Sequence, residues 1–528
     1  MALIVSGITL PFEAGESDAL TAAFKAVKVG AGTVPARPVR CALDLRRGQL
    51  NRVWSVQLEL PEPHAEAILA AGHPQIRPAP RDAMPSATGT EFLTGPPAIV
   101  GFGPAGLFAA LVLAENGFRP HVIERGAALE ERDAAVSDFF GGGPLREDTN
   151  IQFGEGGAGA YSDGKLTTRI SDSRCALALR LLREYGAPEE ALMAAKPHIG
   201  TDLLKGIVVR MRWRIIELGG RVDFERRLTG LRLENGRLAG LETDGGDIAC
   251  RTAILAMGHS ARDTFDMLAR QGIEMTPKAF SVGLRIEHMQ TWIDAGLYGR
   301  HAGLSGLPPG EYSLSAHVAG RGCYSFCMCP GGQVVAASSE AGGVAVNGMS
   351  FHARAGRNAN AALCVTVAPS DLEDGLFAGV QFQRRLERAA FELGGEDYGA
   401  PVQRLEDFMA GRKSVRLGAV EPSYPRGHAL SDLNGLLPGF VRDGLKGAMG
   451  SFSRKIRGFD HPDAVLTGVE SRTSSPVRIL RGDALSAPSA EGLIPCGEGA
   501  GYAGGIMSAA ADGIRAAESI MGRYRVPE

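Results

Sequence analysis

The chain contains few aromatic residues, few cysteines and almost no net charge. Aromatic side chains make up 6% of its 528 residues, and the formal charge is −3. A chain so close to neutral has no overall attraction for nucleic acid or an anionic membrane, so either partner would need a local basic patch. The eight cysteines are scattered and do not form a disulfide framework. The first residues, MALIVSGITLPFE, also lack the basic segment of a secretory signal, so we expect a cytoplasmic protein.

The sequence also lacks an uninterrupted apolar run. Residues 95–114 carry no charge for about the length of a membrane span, but Gly and Pro interrupt them before and inside the segment GFGPAG. This composition indicates a strand, a loop and a helix, and we expect no contact with membranes.

Glycine is abundant, with 71 residues, whereas the hydrophobic and charged fractions, 44% and 22%, are those of a globular chain. Residues 1 to about 75 predict a small α+β unit in the order βαββα. Its predicted elements are a strand (2–10), a helix (17–27), two strands (39–45 and 53–60) and a helix (64–71). A stretch rich in Pro, Gly, Ser and Thr follows, so we place a domain boundary near residue 90.

A dinucleotide-binding fingerprint follows this linker. Gly101, Gly103 and Gly106 form G-x-G-x-x-G between a short apolar strand and a helix, and Glu124 ends the next predicted strand. The first glycine permits a tight turn, the second lets the backbone approach a pyrophosphate, and the third lets helix and strand pack closely. A carboxylate at the end of the second strand can accept hydrogen bonds from both ribose hydroxyls. This context predicts a bound dinucleotide.

A second glycine loop near the C-terminus favours FAD over NAD. The segment CGEGAGYAGG lies between a strand at 492–495 and a helix at 506–520, and too few residues follow for another βαβ unit. The second helix N-terminus is therefore expected to join the first site and to bind another electron-rich part of one large ligand. A flavin dinucleotide has that length.

These motifs resemble the glutathione-reductase-like flavoprotein superfamily, in its branch with one dinucleotide fold and an inserted substrate domain. Further segments, NIQFGEGGAGAYSDGKL, LAMGHSARDTF, YSFCMCPGG and TGVESRTSSPVRI among them, are similar to a bacterial family of FAD-dependent dehydrogenases of unassigned substrate. The resemblance implies an α/β protein with a three-layer FAD-binding domain, an inserted β-rich α+β substrate domain and the small N-terminal α+β domain. The implied boundaries are 1–90 for the N-terminal domain, 91–275 and 466–528 for the FAD-binding domain, and 276–465 for the substrate domain.

The resemblance also implies which residues hold the cofactor. The first glycine loop would bind the pyrophosphate, Glu124 the adenosine ribose, and residues 156–162 the ribityl chain and flavin ring. Leu228 would contact the adenine, while Glu498 stands where the superfamily usually has the shorter Asp, which binds a ribityl hydroxyl. The full implied set is Gly101, Gly103, Pro104, Ala105, Gly106, Glu124, Arg125, Gly156, Gly157, Gly159, Ser162, Lys165, Leu228, Gly258, Gly497, Glu498, Gly504, Gly505 and Ile506.

Three residues are candidates for catalysis. His259 and Arg262 follow a strand at its carboxyl end, so His259 could donate a proton and Arg262 could anchor an anionic substrate. The alternative is a structural network in which Arg262 and Asp263 pair with neighbours. Arg472 could orient an anionic group beside the flavin, because a guanidinium presents a planar fork and stays charged. Its alternative is an ion pair with Glu470 or another carboxylate.

Cys323, Cys327 and Cys329 fall on a probable strand where the last two share a face. They could form a redox pair, but the spacing is not the CxxC of dithiol oxidoreductases, and we favour a structural role. No partner cysteines or histidines predict a metal site. His198 is favoured as a residue at the start of a helix.

The arginines between residues 37 and 52 outnumber the single acid, Asp44. They could contact RNA, although a solvated basic face is the commoner explanation. The residues are Arg37, Arg40, Arg46, Arg47 and Arg52.

The sequence as a whole predicts an FAD-dependent oxidoreductase with a noncovalent flavin. No second complete fingerprint exists for a built-in NADH domain, so NAD(P)H would visit transiently, or the substrate or an electron-carrier protein would supply electrons. The substrate is expected to be a small, anionic molecule. The alternatives are a flavin-dependent RNA-modifying reductase, a ring hydroxylase, and a non-enzymatic flavin module that senses redox state.

Overall fold

The computed structural model of the chain describes residues 1–80 and 82–527, except for the side chain of Arg47. Its strands are β1 (Ala2–Pro11), β2 (Ala36–Asp44), β3 (Asn51–Glu59), β4 (Ile76–Pro78), β5 (Ala98–Val100), β6 (His121–Ile123), β7 (Arg221–Asp223), β8 (Leu228–Glu234), β9 (Arg237–Thr243), β10 (Ile248–Ala249), β11 (Ala253–Leu255), β12 (Met275–Pro277), β13 (Phe280–Met289), β14 (Ser315–Val318), β15 (Arg321–Cys329), β16 (Gln333–Ala336), β17 (Val346–Met349), β18 (Asn358–Val367), β19 (Ala400–Arg404), β20 (His428–Leu430), β21 (Val465–Glu470), β22 (Val477–Ile479) and β23 (Leu493–Pro495).

The helices connect these strands. They are α1 (Glu16–Ala26), α2 (Glu62–Ala70), α3 (Pro104–Glu115), α4 (Leu129–Phe140), α5 (Arg174–Glu184), α6 (Glu189–Met193), α7 (Thr201–Glu217), α8 (Arg262–Arg270), α9 (Gln290–Tyr298), α10 (Ala378–Gly394), α11 (Leu405–Ala410), α12 (Leu433–Leu436), α13 (Gly439–Lys455) and α14 (Ile506–Arg523). The chain is therefore a mixed α/β protein. None of the helices in the described residues has both the length and the apolarity needed to cross a bilayer.

The chain divides into two compact units, each formed from two segments. The first unit is Met1–Ala83 with Lys165–Ile199, and the second is Met84–Gly164 with Gly200–Glu528. The sequence-based boundaries differ from this division, because they leave residues 165–199 inside the FAD-binding domain. Contacts between segments distant along the chain decide this grouping, and local composition does not report them.

The first unit contains a four-stranded sheet in the order β2-β3-β1-β4. The predicted order βαββα is confirmed for its first five elements, and β4 adds an edge strand antiparallel to β1. Apolar side chains alternate along the strands, so Leu3, Val5, Trp54, Val56 and Leu58 form the core of this unit.

The second unit holds a parallel sheet in the order β23-β11-β5-β6-β7. The helix α3 connects β5 to β6 and is apolar on nearly all sides, because it is buried along most of its length. The uncharged run at 95–114 is thus a buried strand, a glycine turn and a buried helix, as the sequence predicted. The strand β23 returns near the C-terminus to the edge beside β11 and leads into α14.

The second unit also contains a seven-stranded sheet in the order β14-β15-β18-β13-β21-β19-β20. Its pairs are antiparallel, apart from β19 with β20. The central strand β13 is buried on both faces, yet it carries Arg285, Glu287 and His288. Such buried charges require partners within the protein.

Candidate functional site

Two glycine turns lie at the carboxyl ends of two strands of the parallel sheet, one after β5 and one after β23, and these two strands flank β11. In the first turn, Gly101 has a φ of +95°, and a Cβ there would lie 2.4 Å from the carbonyl oxygen of Ala256. A Cβ at Gly106 would lie 1.9 Å from the carbonyl oxygen of Gly101. These two glycines are therefore required by the turn and by the packing of α3 against it.

The middle glycine of the fingerprint has a different environment. A Cβ at Gly103 would meet only the Cα of Gly157, at an ordinary contact distance of 3.7 Å. The same test finds no atom within 4 Å at Gly258, Gly504 and Gly505. The protein therefore leaves space beside Gly103, Gly258, Gly504 and Gly505. We call these four glycines the glycine cradle. A backbone exposed in this way suits a ligand that approaches it closely.

The first turns of α3 and α14 lie side by side at this cradle. A Cβ at Gly159 would be 3.3 Å from both Pro104 and Ile506, the first residues of the two helices. The helices pack closely because Gly513 has no side chain, since a Cβ there would lie 2.1 Å from the carbonyl oxygen of Ala105. The first turn of a helix has N–H groups without intrahelical partners, so two such turns together form an anion-binding surface.

Glu124 is buried and is hydrogen-bonded by the protein backbone. Its carboxylate accepts from the N–H groups of Phe102 at 2.8 Å, Gly126 at 3.0 Å and Gly154 at 3.0 Å. A carboxylate has about four lone-pair positions, so about one remains for a ligand. Its observed contacts join β5, β6 and the loop at 154, and the contact of Glu124 with ribose hydroxyls stays a prediction.

Arg132 organises the loop that supplies Gly156, Gly157 and Gly159. Its fully buried guanidinium, on α4, donates to four backbone carbonyl oxygens of the loop, those of Asn150, Ile151, Glu155 and Gly157. The Glu155 side chain accepts from the Leu129 N–H and pairs with Arg212 at 2.9 Å. The hydrogen bonds of Arg132 and the ion pair between Glu155 and Arg212 thus fix the position of the glycine loop.

Four other residues that were predicted to bind the cofactor make contacts within the protein. The Arg125 guanidinium lies over the Phe153 ring and pairs with Asp263 at 3.0 Å, while the Ser162 hydroxyl donates to the Gly159 carbonyl oxygen. Leu228 begins β8 and is buried in the three-stranded sheet. Lys165 belongs to the first unit, where it forms a bridge with His198.

Glu498 lies in the second glycine turn, where its carboxylate makes no hydrogen bond to the described residues. Burial raises its pKa to about 7, although the positive charge of Lys278 opposes this shift. Burial and the neighbouring Arg478 lower the pKa of Lys278. The turn therefore carries a carboxyl group that changes its charge near neutral pH.

Arg262 and Arg472 share one buried carboxylate, that of Glu387 on α10. The guanidinium of each arginine lies 2.9 Å from it, and Arg262 also pairs with Glu340 at 2.5 Å. Burial alone would raise the pKa of Glu387, but the two arginines hold it well below its usual range. The geometry favours the structural alternative for both arginines, because their charges are satisfied inside the protein. Arg472 pairs with Glu387 and not with Glu470, whose partner is Arg285.

His259 lies beside this cluster, and its Nδ1 is 3.1 Å from the Ser260 hydroxyl. Burial lowers the pKa of His259 to about 3, and the positive charges of Arg472 and Arg262 add to this effect. The imidazole is therefore neutral at physiological pH. It suits hydrogen bonding better than the role of a charged proton donor.

The arginines of the N-terminal unit are largely engaged within it. Arg37 pairs with Glu189 at 3.2 Å, Arg46 pairs with Asp44 at 2.6 Å, and Arg52 lies over the Phe12 ring. The side chain of Arg47 lies outside the described residues. These contacts reduce the positive charge that the three arginines present to a phosphate, and RNA binding by this unit stays a prediction.

Comparison with known proteins identifies the central region. Residues 279–473 match the family model "FAD-dependent protein, C-terminal domain-like". The chain is also 48% identical over 444 residues to an uncharacterized protein of Clostridium beijerinckii, and the alignment covers 84% of this chain and 83% of that protein. The chain therefore belongs to the same family as this Clostridium protein, and its residues 279–473 belong to the FAD-dependent C-terminal domain family.

Solved structures show weaker likenesses to the chain. L-amino acid deaminase from Proteus vulgaris is 11% identical, with 84% of this chain and 98% of that chain covered and a TM-score of 0.37. L-proline dehydrogenase from P. horikoshii is 12% identical, with 83% and 96% covered and a TM-score of 0.33. Glycine oxidase from Bacillus cereus is 11% identical, with 81% and 95% covered and a TM-score of 0.32. All three scores lie below 0.5.

Sequence reasoning missed the buried ionic residues of the second unit. Arg132, Arg212 and Glu387 lie on helices where charged residues usually face solvent, so their sequence positions predict exposure. A charged residue paired across more than a hundred positions leaves no local pattern, as for Arg262 and Glu387, which are 125 residues apart. The described residues contain no group of three or more His, Cys, Asp or Glu side chains suited to a metal ion.

Proposed function

We propose that the protein is an FAD-dependent oxidoreductase that binds its flavin noncovalently in the second unit. The observation that carries the proposal is the glycine cradle, where Gly103, Gly258, Gly504 and Gly505 leave backbone accessible beside the first turns of α3 and α14. A dinucleotide carries a pyrophosphate at its centre and an electron-rich ring at one end. Two adjacent helix N-termini match a ligand with anionic and electron-rich parts.

FAD, when bound, supplies two-electron redox chemistry. In this proposal the N–H groups of α3 hold the pyrophosphate, and those of α14 stabilise negative charge at the far end of the ligand. Arg132 fixes the loop of Gly156, Gly157 and Gly159 through its carbonyl contacts. Glu124 mainly fixes the turn and retains capacity for about one hydrogen bond to a ribose hydroxyl.

The substrate in this proposal is a small anionic molecule, but its cationic partners differ from those that the sequence suggested. Arg262 and Arg472 are neutralised by carboxylates. Lys278 and Arg478 lie beside the second glycine turn, and the buried Nε of Arg478 has no hydrogen-bond partner among the described residues. We therefore assign the binding of an anionic group to these two cations.

The flavin content of purified protein tests this function. Denaturation of the native, yellow protein should release about one FAD per chain, identified by chromatography and mass. Release of FMN alone, or purification of a folded colourless protein that takes up no FAD, would contradict the proposal. Anaerobic stopped-flow mixing with NADH and NADPH then tests the electron donor. Weak, transient binding of the nicotinamide is expected, because the chain has no second complete fingerprint.

A further inference from the structure

His259 follows Gly258 of the glycine cradle, in the turn between β11 and α8. This turn contacts the second glycine turn, because a Cβ at Gly499 would lie 2.4 Å from the Gly258 carbonyl oxygen. His259 is half-buried, and its ring makes a single hydrogen bond to another of the described residues, between Nδ1 and the Ser260 hydroxyl at 3.1 Å. The fold therefore makes no use of the other ring nitrogen, Nε2, which keeps some accessible surface.

Gln152 determines the direction of the hydrogen bond that Ser260 makes. Its amide Nε2 lies 3.5 Å from the Ala337 carbonyl oxygen, and its Oε1 lies 3.1 Å from the Ser260 hydroxyl. The opposite orientation of the amide would place Oε1 against the Ala337 carbonyl oxygen, where two acceptors would meet without a hydrogen between them. Gln152 and Ser260 are both buried. Ser260 therefore donates its hydrogen to the Gln152 oxygen.

The position of the hydrogen on the His259 ring follows from these contacts. A serine hydroxyl holds one hydrogen, and that of Ser260 is already given to Gln152. The Ser260 oxygen can then contact His259 only as an acceptor, so Nδ1 carries the hydrogen of that bond. His259 is neutral, because burial and the charges of Arg472 and Arg262 lower its pKa, and a neutral imidazole holds one ring hydrogen. Its Nε2 is therefore an unprotonated lone pair.

A lone pair at Nε2 distinguishes between two oxidation states of a substrate. An alcohol or an amine presents an O–H or N–H group that donates to the lone pair. A ketone at the same place presents only lone pairs of its own, so both groups would be left without a hydrogen bond. The histidine therefore favours the reduced substrate over its ketone product.

We propose that His259 is a specificity-determining residue, whose Nε2 accepts a hydrogen bond from the O–H or N–H group of an anionic substrate. Ser260 and Gln152 are positioning residues, because they act only by fixing the ring hydrogen on Nδ1. The inference rests on the proposed function, in which Lys278 and Arg478 bind the anionic group. A Cβ at Gly501 would lie 3.2 Å from the Cα of Arg478, so the backbone of Arg478 contacts the same glycine turn that touches the residue before His259.

Nitrogen NMR of the full-length protein tests the position of the ring hydrogen. Protein that contains nitrogen-15-labelled histidine is measured at neutral pH, and the His259 signals are those that His259→Asn lacks. The wild-type protein should show a protonated Nδ1 and an unprotonated Nε2. Ser260→Ala removes the acceptor, and Gln152→Met frees the serine hydrogen to donate to Nδ1, so both variants should carry the ring hydrogen on Nε2. The conservative Ser260→Thr keeps the hydroxyl and should behave as the wild type.

Titration with lactate and pyruvate tests the ligand. The two anions share a carboxylate and a carbon skeleton, but only lactate has a hydrogen-bond donor on the carbon beside the carboxylate. The shift of the His259 Nε2 signal reports the binding of each anion. The wild-type protein should bind racemic lactate about fivefold more tightly than pyruvate, because one hydrogen bond is gained. Ser260→Ala should lose or reverse this preference, since its Nε2 would carry a hydrogen.

Two results would overturn the inference. One is a wild-type His259 that carries its hydrogen on Nε2. The other is a wild-type protein that binds lactate no more tightly than pyruvate, including one in which neither anion shifts the Nε2 signal. The wild-type measurements decide the question even if a variant fails to fold. Gly103→Val separates this inference from the flavin proposal, because a colourless protein should still carry the ring hydrogen on Nδ1.

Discussion

At the scale of single residues, the second unit contains buried charged side chains whose charges are satisfied by partners within the protein. Glu387 neutralises two guanidiniums, Arg132 is satisfied by backbone carbonyl oxygens, and Arg285 pairs with Glu470. A buried charge is tolerated only with such partners, and removal of one partner leaves the other uncompensated. Arg132 therefore positions the loop that carries Gly156 and Gly157, and the other two clusters join strands and helices of the second unit.

Glu387→Gln should strongly destabilise the protein, because two buried arginines would lose their shared negative charge. We expect a loss of about 3–5 kcal/mol in the free energy of unfolding, measured by urea denaturation at neutral pH. The control is Glu392→Gln, which makes the same chemical change at an exposed position of the same helix. Equal stability of the two variants would show that the buried cluster does not hold the fold.

His259 should make the protein sensitive to acid. Its folded pKa is lowered from 6.5 to about 3, so its full contribution to stability is present above about pH 6.5 and is lost as the pH falls from there towards 3. His259→Asn removes this titration, so its melting temperature should fall less than that of the wild type between neutral pH and about pH 5, by a few degrees. The exposed His317→Asn is the control and should follow the wild type. An unchanged acid sensitivity in His259→Asn would contradict the lowered pKa.

At the scale of elements, the contact between α3 and α14 brings two helix N-termini together. Gly513 allows this contact because its missing side chain leaves room for the Ala105 carbonyl oxygen. The anion-binding surface therefore depends on Gly513, which lies inside α14, beyond the first turn of that helix.

Gly513→Val should separate the two helices. A Cβ would lie 2.1 Å from backbone, which cannot move without shifting a helix, so we expect a loss of about 1–3 kcal/mol or more in stability. Flavin affinity should fall as well, since the two first turns would no longer meet. Gly522→Val is the control, because it lies in the same helix with no atom within 4 Å of its Cβ position. The contact would be unimportant if both variants bound flavin and unfolded alike.

At the scale of the whole molecule, sequence reasoning predicted the elements better than their assembly. The strand–turn–helix units of β5 with α3 and β23 with α14 were predicted because glycine spacing and apolar runs are local signals. The grouping of Lys165–Ile199 with the N-terminal segment was not predicted, since it depends on contacts between distant segments. The burial of Arg262 and Arg472 could not be read from sequence either, because Glu387 occupies an ordinary position in an amphipathic helix.

In the proposed function, the bound flavin occupies the space beside Gly103, the middle glycine of the fingerprint. Gly103 has room for a side chain in the protein itself, whereas Gly106 has none. A substitution at Gly103 should therefore remove the ligand without unfolding the chain, which separates ligand binding from folding.

The most direct measurement is the flavin content and melting temperature of Gly103→Val beside the wild type and Gly522→Val. We predict that Gly103→Val purifies as a folded, colourless protein that retains less than about a tenth of the wild-type flavin, because its side chain would occupy the place of the pyrophosphate. Its melting temperature should match that of flavin-free wild-type protein. Gly522→Val should purify yellow. A yellow Gly103→Val with about one FAD per chain would contradict the account.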